Sequence, residues 1–162
     1  MAVDMFMKIG DIKGESTDKK HPNEIDVLAW SWGMSNSGTT HQGGGGGAGK
    51  ANVQDLSFTK YTDASSHALL LACSNGQHYP KANLVVRKAG GKGQPIEYIK
   101  IEMEEVLVTS LSCGGSGGED RLTENVTLNF AKVKYEYTPQ KPDGSPDTTK
   151  EMVYNIAEND NA

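Results

Sequence analysis

Apolar and polar residues alternate with a period of two through most of this chain, a spacing that predicts strands rather than helices. Asp26 to Trp32 (DVLAWSW) reads as a strand with Leu28, Trp30 and Trp32 facing inward and Val27, Ala29 and Ser31 on the other side. Asn52 to Phe58 alternates through Val53, Leu56 and Phe58, and Asn83 to Lys88 (NLVVRK) is short and β-branched. Ile99, Ile101 and Met103 alternate with Lys100, Glu102 and Glu104, which predicts one wet face. At Glu104-Glu105 the phase slips by one residue, and Val106 and Val108 resume it. Asn125 to Tyr137 repeats the behaviour. Val126, Leu128 and Phe130 point one way, and after Ala131 the set becomes Val133, Tyr135 and Tyr137. A one-residue slip in a straight strand would turn the apolar set to the wrong face, so a β-bulge or a sharp bend must absorb it. Two such slips in two long strands predict a closed or strongly coiled sheet.

One stretch departs to a helical pattern. Ser65 or Ser66 is positioned to cap it, Leu69, Leu70, Leu71 and Ala72 follow, and Asn75-Gly76 ends it. A helix this short needs packing against the sheet, and an open barrel end would supply it. Two stretches read as long and flexible: Asn36 to Lys50, with its run Gly43 to Gly47, and Pro139 to Lys150 (PQKPDGSPDTTK). A last short strand is expected around Met152 to Ile156. No internal repeat interrupts the chain, and residues 1–162 read as a single domain.

Composition narrows the classes of function. The 162 residues carry a net charge of −5, without the clustered Lys and Arg of a nucleic-acid footprint. No apolar run approaches the roughly 18 residues of a membrane span. The start, MAVDMFMKIGDIKG, lacks a long apolar core, so a Sec-type leader is not expected. Cys73, in the helical stretch, reads as a small core residue, and Cys113 borders a glycine turn. Two cysteines at this spacing make neither a disulfide framework nor a metal motif.

Several local patterns resemble chemistry. Gly114-Gly115-Ser116-Gly117-Gly118 fits G-x-S-x-G, which would make Ser116 a hydrolase nucleophile. That elbow needs a helix after the turn and a histidine downstream. Here a strand pattern follows, and no histidine lies beyond His78. A glycine turn between two strands explains the run better. Gly44 to Lys50 (GGGGAGK) fits the first part of a phosphate-binding loop, but Ala51 replaces the magnesium-contacting hydroxyl and no helix pattern follows. His21, His41, His67 and His78 are scattered without metal spacing and read as surface or capping residues. Glu119, Asp120, Arg121 and Glu124 read as solvated charges or as partners in local and intersubunit pairs. Trp30 and Trp32, at i and i+2, read as core rather than as a sugar-stacking platform of a monomeric binding barrel. Ala29, Ser31 and Gly33 then share a small polar face turned to water or a channel.

Four segments together carry a family resemblance: IDVLAWSWG (Ile25 to Gly33), DLSFTKYTD (Asp55 to Asp63), RKAGG (Arg87 to Gly91) and GGSGGEDRLTENVTLNFA (Gly114 to Ala131). On these the chain resembles Hcp, the haemolysin-coregulated protein family of bacterial type VI secretion. Gly38 to Lys50 is similar to the glycine loop of one subgroup, while the tail from Pro139 to Ala162 matches least well. The resemblance implies a mainly β fold: a closed β-barrel with one short flanking helix and a long extended loop, as in phage tail-tube proteins. It implies hexameric rings with a wide pore, stacked into an inner tube that a sheath expels with its spike and effectors. The subunit would be secreted without a Sec leader, would reside in the bacterial cytoplasm before firing, and would serve bacterial competition and virulence. It would shelter small effectors in the pore and would need no catalytic residue, cofactor, nucleic acid or membrane insertion. In that setting Ala29, Ser31 and Gly33 become candidates for the lumen. Gly43, Gly44, Gly45, Gly46, Gly47, Ala48, Gly49 and Lys50 become candidates for a subunit or ring-stacking contact. Glu119, Asp120 and Arg121 become candidate interface charges.

Overall fold

The computed structural model describes residues 3–38, 48–88 and 93–160. In chain order the elements are β1 (Val3–Ile9), β2 (Ile25–Ser31), β3 (Met34–Gly38), β4 (Ala48–Val53), β5 (Leu56–Tyr61), α1 (Ser66–Asn75), β6 (His78–Lys88), β7 (Ile96–Cys113), β8 (Thr123–Asn129), β9 (Lys132–Tyr137) and β10 (Lys150–Asn155). Strands β7, β6, β1, β2, β5 and β8 run side by side, and a β7–β8 pairing closes them into a six-stranded antiparallel barrel. Strands β9 and β10 extend the sheet from the first half of β7, and β3 and β4 form a separate two-stranded ribbon.

Both predicted slips become corners. The first half of β7 pairs with β9 from Ile99 to Glu104, and the second half pairs with β8 from Leu107 onward. Between them Glu105 adopts φ 55°, a left-handed conformation. The expected strand Asn125 to Tyr137 breaks at Phe130-Ala131 into β8 and β9, and the Ala131 N–H donates to the Glu104 carbonyl at 3.0 Å. Two chain segments thus turn together at one corner. The Glu105 conformation costs an L-residue about 1–2 kcal/mol, a cost glycine escapes. Glu105→Gly is therefore expected to hold or slightly raise the unfolding free energy measured in urea, with a matching midpoint shift, and Glu105→Val to lower it by about 1–2 kcal/mol. Equal midpoints for the two variants would remove the backbone argument.

The core runs through Met7, Ile9, Ile25, Leu56, Phe58, Leu84, Ile101, Met103, Val126, Leu128 and Val133, and α1 adds Leu69 and Ala72. Gly76, at φ 67°, ends α1 and returns its N–H to the Ala72 carbonyl at 3.1 Å, as the sequence predicts. The start of α1 differs, because neither Ser65 nor Ser66 bonds a free amide of the first turn. The Ser65 hydroxyl donates to Asp63 at 2.5 Å, and Ser66 is occupied by an ion cluster taken up below.

Other expectations need correction. In β2, Val27 is buried and Leu28 is exposed, the reverse of the predicted faces. A register shift between Val27 and Ala29 supplies the reason: a bulge at Leu28 resets the phase, so that Trp30 still packs on the core. Asn52 to Phe58 is not one strand but the end of β4 and the start of β5, parted at Gln54-Asp55. The ends of the stretch from Asn36 to Lys50 are strand rather than loop, with Gly38 paired to Ala48 in the β3–β4 ribbon, and its residues 39–47 lie outside the described residues. Pro139 to Lys150 is ordered by its own bonds, among them Lys141 N–H to the Ser145 carbonyl and Asp147 N–H to the Pro139 carbonyl, each 2.8 Å. Strand β1 has no counterpart in the sequence reading.

Candidate functional site

Four strands, β2, β5, β8 and the second half of β7, present one continuous outer face whose rows follow from the registers. Ser31 stands opposite Ser57, Ser57 opposite Thr127 and Thr127 opposite Ser110. One step along, Ala29, Thr59, Asn125 and Ser112 form a second row. The row between them, Trp30, Phe58, Val126 and Leu111, points into the barrel. The outer rows hold hydroxyls, one amide and one methyl, and no charge. Some bond one another: Ser57 Oγ lies 3.2 Å from Thr127 Oγ1, and Thr59 Oγ1 donates to Asn125 Oδ1 at 2.8 Å.

The contrast with the other outer face is sharp. Across β1, β6, the first half of β7 and β9, the register aligns Lys8, Asn83, Glu102 and Lys134. Neighbouring rows pair Lys81 with Glu102 at 3.1 Å, Lys100 with Glu97 at 3.1 Å and Lys134 with Glu136 at 2.9 Å. Interspersed charges of both signs suit a wall facing water or other proteins.

The uncharged face also ends in open strand edges. Strand β6 pairs with β7 only as far as Leu107, so Val108 to Cys113 have a ladder partner, β8, on one side alone. Strand β1 pairs with β2 only at Ile25 and Asp26, which leaves Ala29 to Ser31 bonded on the β5 side alone. Free edges of this kind are templates for another strand.

Buried ions hold the face in place. Lys60, on β5, is fully buried and directs its ammonium to Glu124 of β8 at 2.6 Å, to Asp63 at 3.0 Å and to Ser66 Oγ at 3.2 Å. All three of its N–H donors are thereby used. Ser66 Oγ donates to Glu124 at 2.6 Å and accepts the Asp63 N–H at 3.0 Å. Glu124, expected as a solvated charge or as a partner in a local or intersubunit pair, is instead buried and paired with Lys60 of a distant strand in the same chain. A second cluster ties residues 10–24 to the barrel. Arg87 of β6 bonds both Asp18 oxygens and reaches Asp4 at 3.1 Å, while its guanidinium lies over the Phe6 ring. The Arg87 hydrogen bonds hold the Asp18 carboxyl well below the usual carboxylate range. His21 is buried rather than on the surface: it stacks on Phe6 and sits between Glu24 at 2.9 Å and Glu97 at 2.8 Å. Burial pushes the Glu97 carboxyl up, but its bonds to His21 and Lys100 leave it lowered overall.

The predicted site residues distribute as follows. Ala29 and Ser31 are exposed on the uncharged face. Gly33 is beyond β2, in the link to β3, where its carbonyl accepts the Gln54 N–H at 2.9 Å. Gly43, Gly44, Gly45, Gly46 and Gly47 lie outside the described residues. Ala48 and Gly49 belong to the backbone of β4, and Lys50 is exposed on it with a strand, not a helix, following. Ser116 sits in an exposed turn, its hydroxyl accepting from the Gly118 N–H. Glu119, Asp120 and Arg121 are exposed in the same turn, with the Arg121 guanidinium 3.8 Å from the Tyr61 ring centre. Trp32 packs inward and stacks on Tyr135. Cys73 and Cys113 are both free. The sequence reading missed the hydroxyls of β5, β7 and β8. A signal for them exists, since the polar half of the alternation in LSFTKY and ENVTLN is hydroxyl and amide rather than Lys and Glu.

Comparison with known proteins agrees with this architecture. The family model for the type VI secretion system effector Hcp matches residues 6–137. The chain is 70% identical over 147 residues to Protein hcp1 of Pseudomonas aeruginosa, covering 91% of this chain and 90% of that protein. A solved type six secretion system protein superposes with a TM-score of 0.91 at 31% identity, over 98% of this chain and 99% of the other. Hcp1 of Salmonella typhimurium superposes with a TM-score of 0.79 at 40% identity, over 98% and 97% of the two chains.

Proposed function

We infer the role from kinship: the chain belongs to the Hcp family of type VI secretion proteins and is a structural subunit of the secretion tube, not an enzyme. As a member of that family it forms hexameric rings that build a tube, and it is a type VI secreted protein. The observation that carries the finer reading is the four-stranded face, uncharged along its two central rows and bounded by two open edges. Because β2, β5, β8 and β7 alternate in direction, the β7 edge of one copy and the β2 edge of the next would meet antiparallel. Such a head-to-tail contact closes into a ring when the rotation permits. The hydroxyl-bearing face would then line the lumen, and the face of paired charges would look outward. Ala29 and Ser31 would touch small effectors in the lumen. A sheath outside the tube and a spike at its tip would be the remaining partners, with the subunit cytoplasmic until expulsion. A hydrolytic role for Ser116 has no support, because its turn leads into β8 and the hydroxyl is engaged by Gly118.

Native mass measurement and electron microscopy test the assembly: six-copy rings and tubes are expected, and a stable monomer would favour a solitary binding barrel. For the lumen, Ser31→Tyr is expected to leave rings intact and reduce effector export. Unchanged export from normal rings would remove Ser31 from the lumen wall.

A further inference from the structure

Residues 10–24 form a strap from β1 to β2 whose backbone bonds are mostly its own. Gly14 N–H donates to the Asn23 carbonyl and Asn23 N–H to the Ser16 carbonyl, both at 2.8 Å, and Ser16 N–H donates to the Glu24 carbonyl at 3.0 Å. Strands β1 and β2 themselves pair only through Phe6 with Asp26 and Met7 with Ile25. Side chains therefore do most of the holding: Ile12 in the core, Asp18 on Arg87, Glu15 accepting the Ala64 N–H at 2.9 Å, and His21.

The buried His21 ring has a carboxylate oxygen at each nitrogen, Glu24 at Nδ1 and Glu97 of β7 at Nε2, and Phe6 beneath its face. A carboxylate only accepts, so each nitrogen has to carry a proton. A neutral ring has one N–H and would turn a bare lone pair to one carboxylate where low dielectric makes that costly. Glu97 also has Lys100 at 3.1 Å, whereas the one ion pair of Glu24 among the described residues is with His21. The other charges around the ring are of classes that titrate well away from neutrality, unlike imidazole. On β6, Arg87 holds Asp18 well below the usual carboxylate range and also bonds Asp4 of β1. Burial pushes Glu97 up, and its bonds to His21 and Lys100 outweigh that push. Lys20 adjoins His21 on the strap. Lys8 of β1, Glu102 of β7, and Lys134 and Glu136 of β9 line the open pocket of about 350 Å³ that His21 and Glu24 border, so a proton has a way out to water.

We propose that His21 is a proton-controlled latch: doubly protonated, it clamps the 10–24 strap to β1 and β7, and loss of one proton releases the strap as the medium turns alkaline. The closed strap binds that proton more firmly than the open strap does, so rising pH favours opening. Asp18 and Glu97 keep their charges over the same range, which leaves the imidazole as the moving part. The pocket beside the ring belongs to the face of paired charges, so the latch gives that face one segment whose order follows pH. It operates within a single copy and does not rest on the ring or the tube.

Amide hydrogen exchange, corrected for the intrinsic effect of pH, tests the latch. In the parent, protection at Gly14, Ser16 and Asn23 is expected to fall about tenfold between about pH 6 and about pH 8, while the β6–β7 ladder keeps its protection. Glu24→Gln is expected to flatten that response with the strap closed throughout, because the new amide donates to the bare nitrogen of a neutral ring. His21→Gln is expected to leave the strap weakly protected at both values. Nitrogen-15 resonances of the parent's imidazole are expected to show both ring nitrogens protonated while the strap is closed. Strap protection that ignores pH in the parent overturns the latch. So does a closed strap over a ring with one bare nitrogen, or a Glu24→Gln chain that keeps the parent's response.

Discussion

Lys60→Met is expected to lower folding stability by about 3–5 kcal/mol, a large part of what a domain of this size has to lose. Lys60 is completely buried, and the substitution removes the cation that pairs, among the described residues, with Glu124 and Asp63, which are 2% and 7% exposed at the side chain. Two carboxylates would then be left at close quarters in low dielectric. Glu124→Gln is expected to cost less, about 1–3 kcal/mol, because Asp63 still balances the ammonium and the amide oxygen still accepts a hydrogen bond. Lys60→Met combined with Glu124→Leu is expected to recover much of the loss, since replacing a whole buried pair is far cheaper than orphaning one partner. Urea unfolding of the three variants checks the order. A Lys60→Met midpoint matching the parent would show that the cluster contributes little. The effect also bears on assembly, because Glu124 adjoins Asn125, and the strand it anchors carries Thr127 of the uncharged face.

The bends were legible because a phase error in an alternating strand directly records a corner. Glu104-Glu105 and Ala131 each break the period, and each proves to sit at the corner where the chain passes between the closed barrel and its β9–β10 extension. The bulge at Leu28 was not legible, because Val27 and Leu28 are both apolar and either phase fits. Strand β1 was hidden for a related reason. Met5, Phe6 and Met7 are apolar in succession, since Met7 faces the barrel core while Phe6 is covered by His21 and Arg87 on the other side. A strand covered on both faces loses its alternation. The buried ions were invisible for a third reason. Lys60 and Glu124 are 64 residues apart, and only the β5–β8 pairing reveals that each fills a core position with the other. Ala29 and Ser31 were legible as a small polar face, but its extent depends on registers with β5, β8 and β7 that no local pattern contains.

The largest expected effect on assembly comes from the open edge of β7, and it can be separated from folding by testing two neighbouring positions. Along a strand, successive amides point to opposite sides. Of Ser110 and Leu111, one therefore donates toward β8 and the other toward the open edge. Proline removes the donor and crowds that side. At the inward-donating position it is expected to break a ladder bond and destabilise the barrel. At the outward-donating position it is expected to leave the barrel folded and convert rings to monomers. The orphaned carbonyl on the neighbouring β2 would cost about 1–3 kcal/mol at every junction, a tenfold to hundredfold weakening that recurs around a closed ring. Circular dichroism and native mass of Ser110→Pro and Leu111→Pro distinguish the two roles. One folded monomer and one destabilised chain are expected. If both variants remain stable hexamers, the β7 edge does not join subunits, and closure must run through another surface.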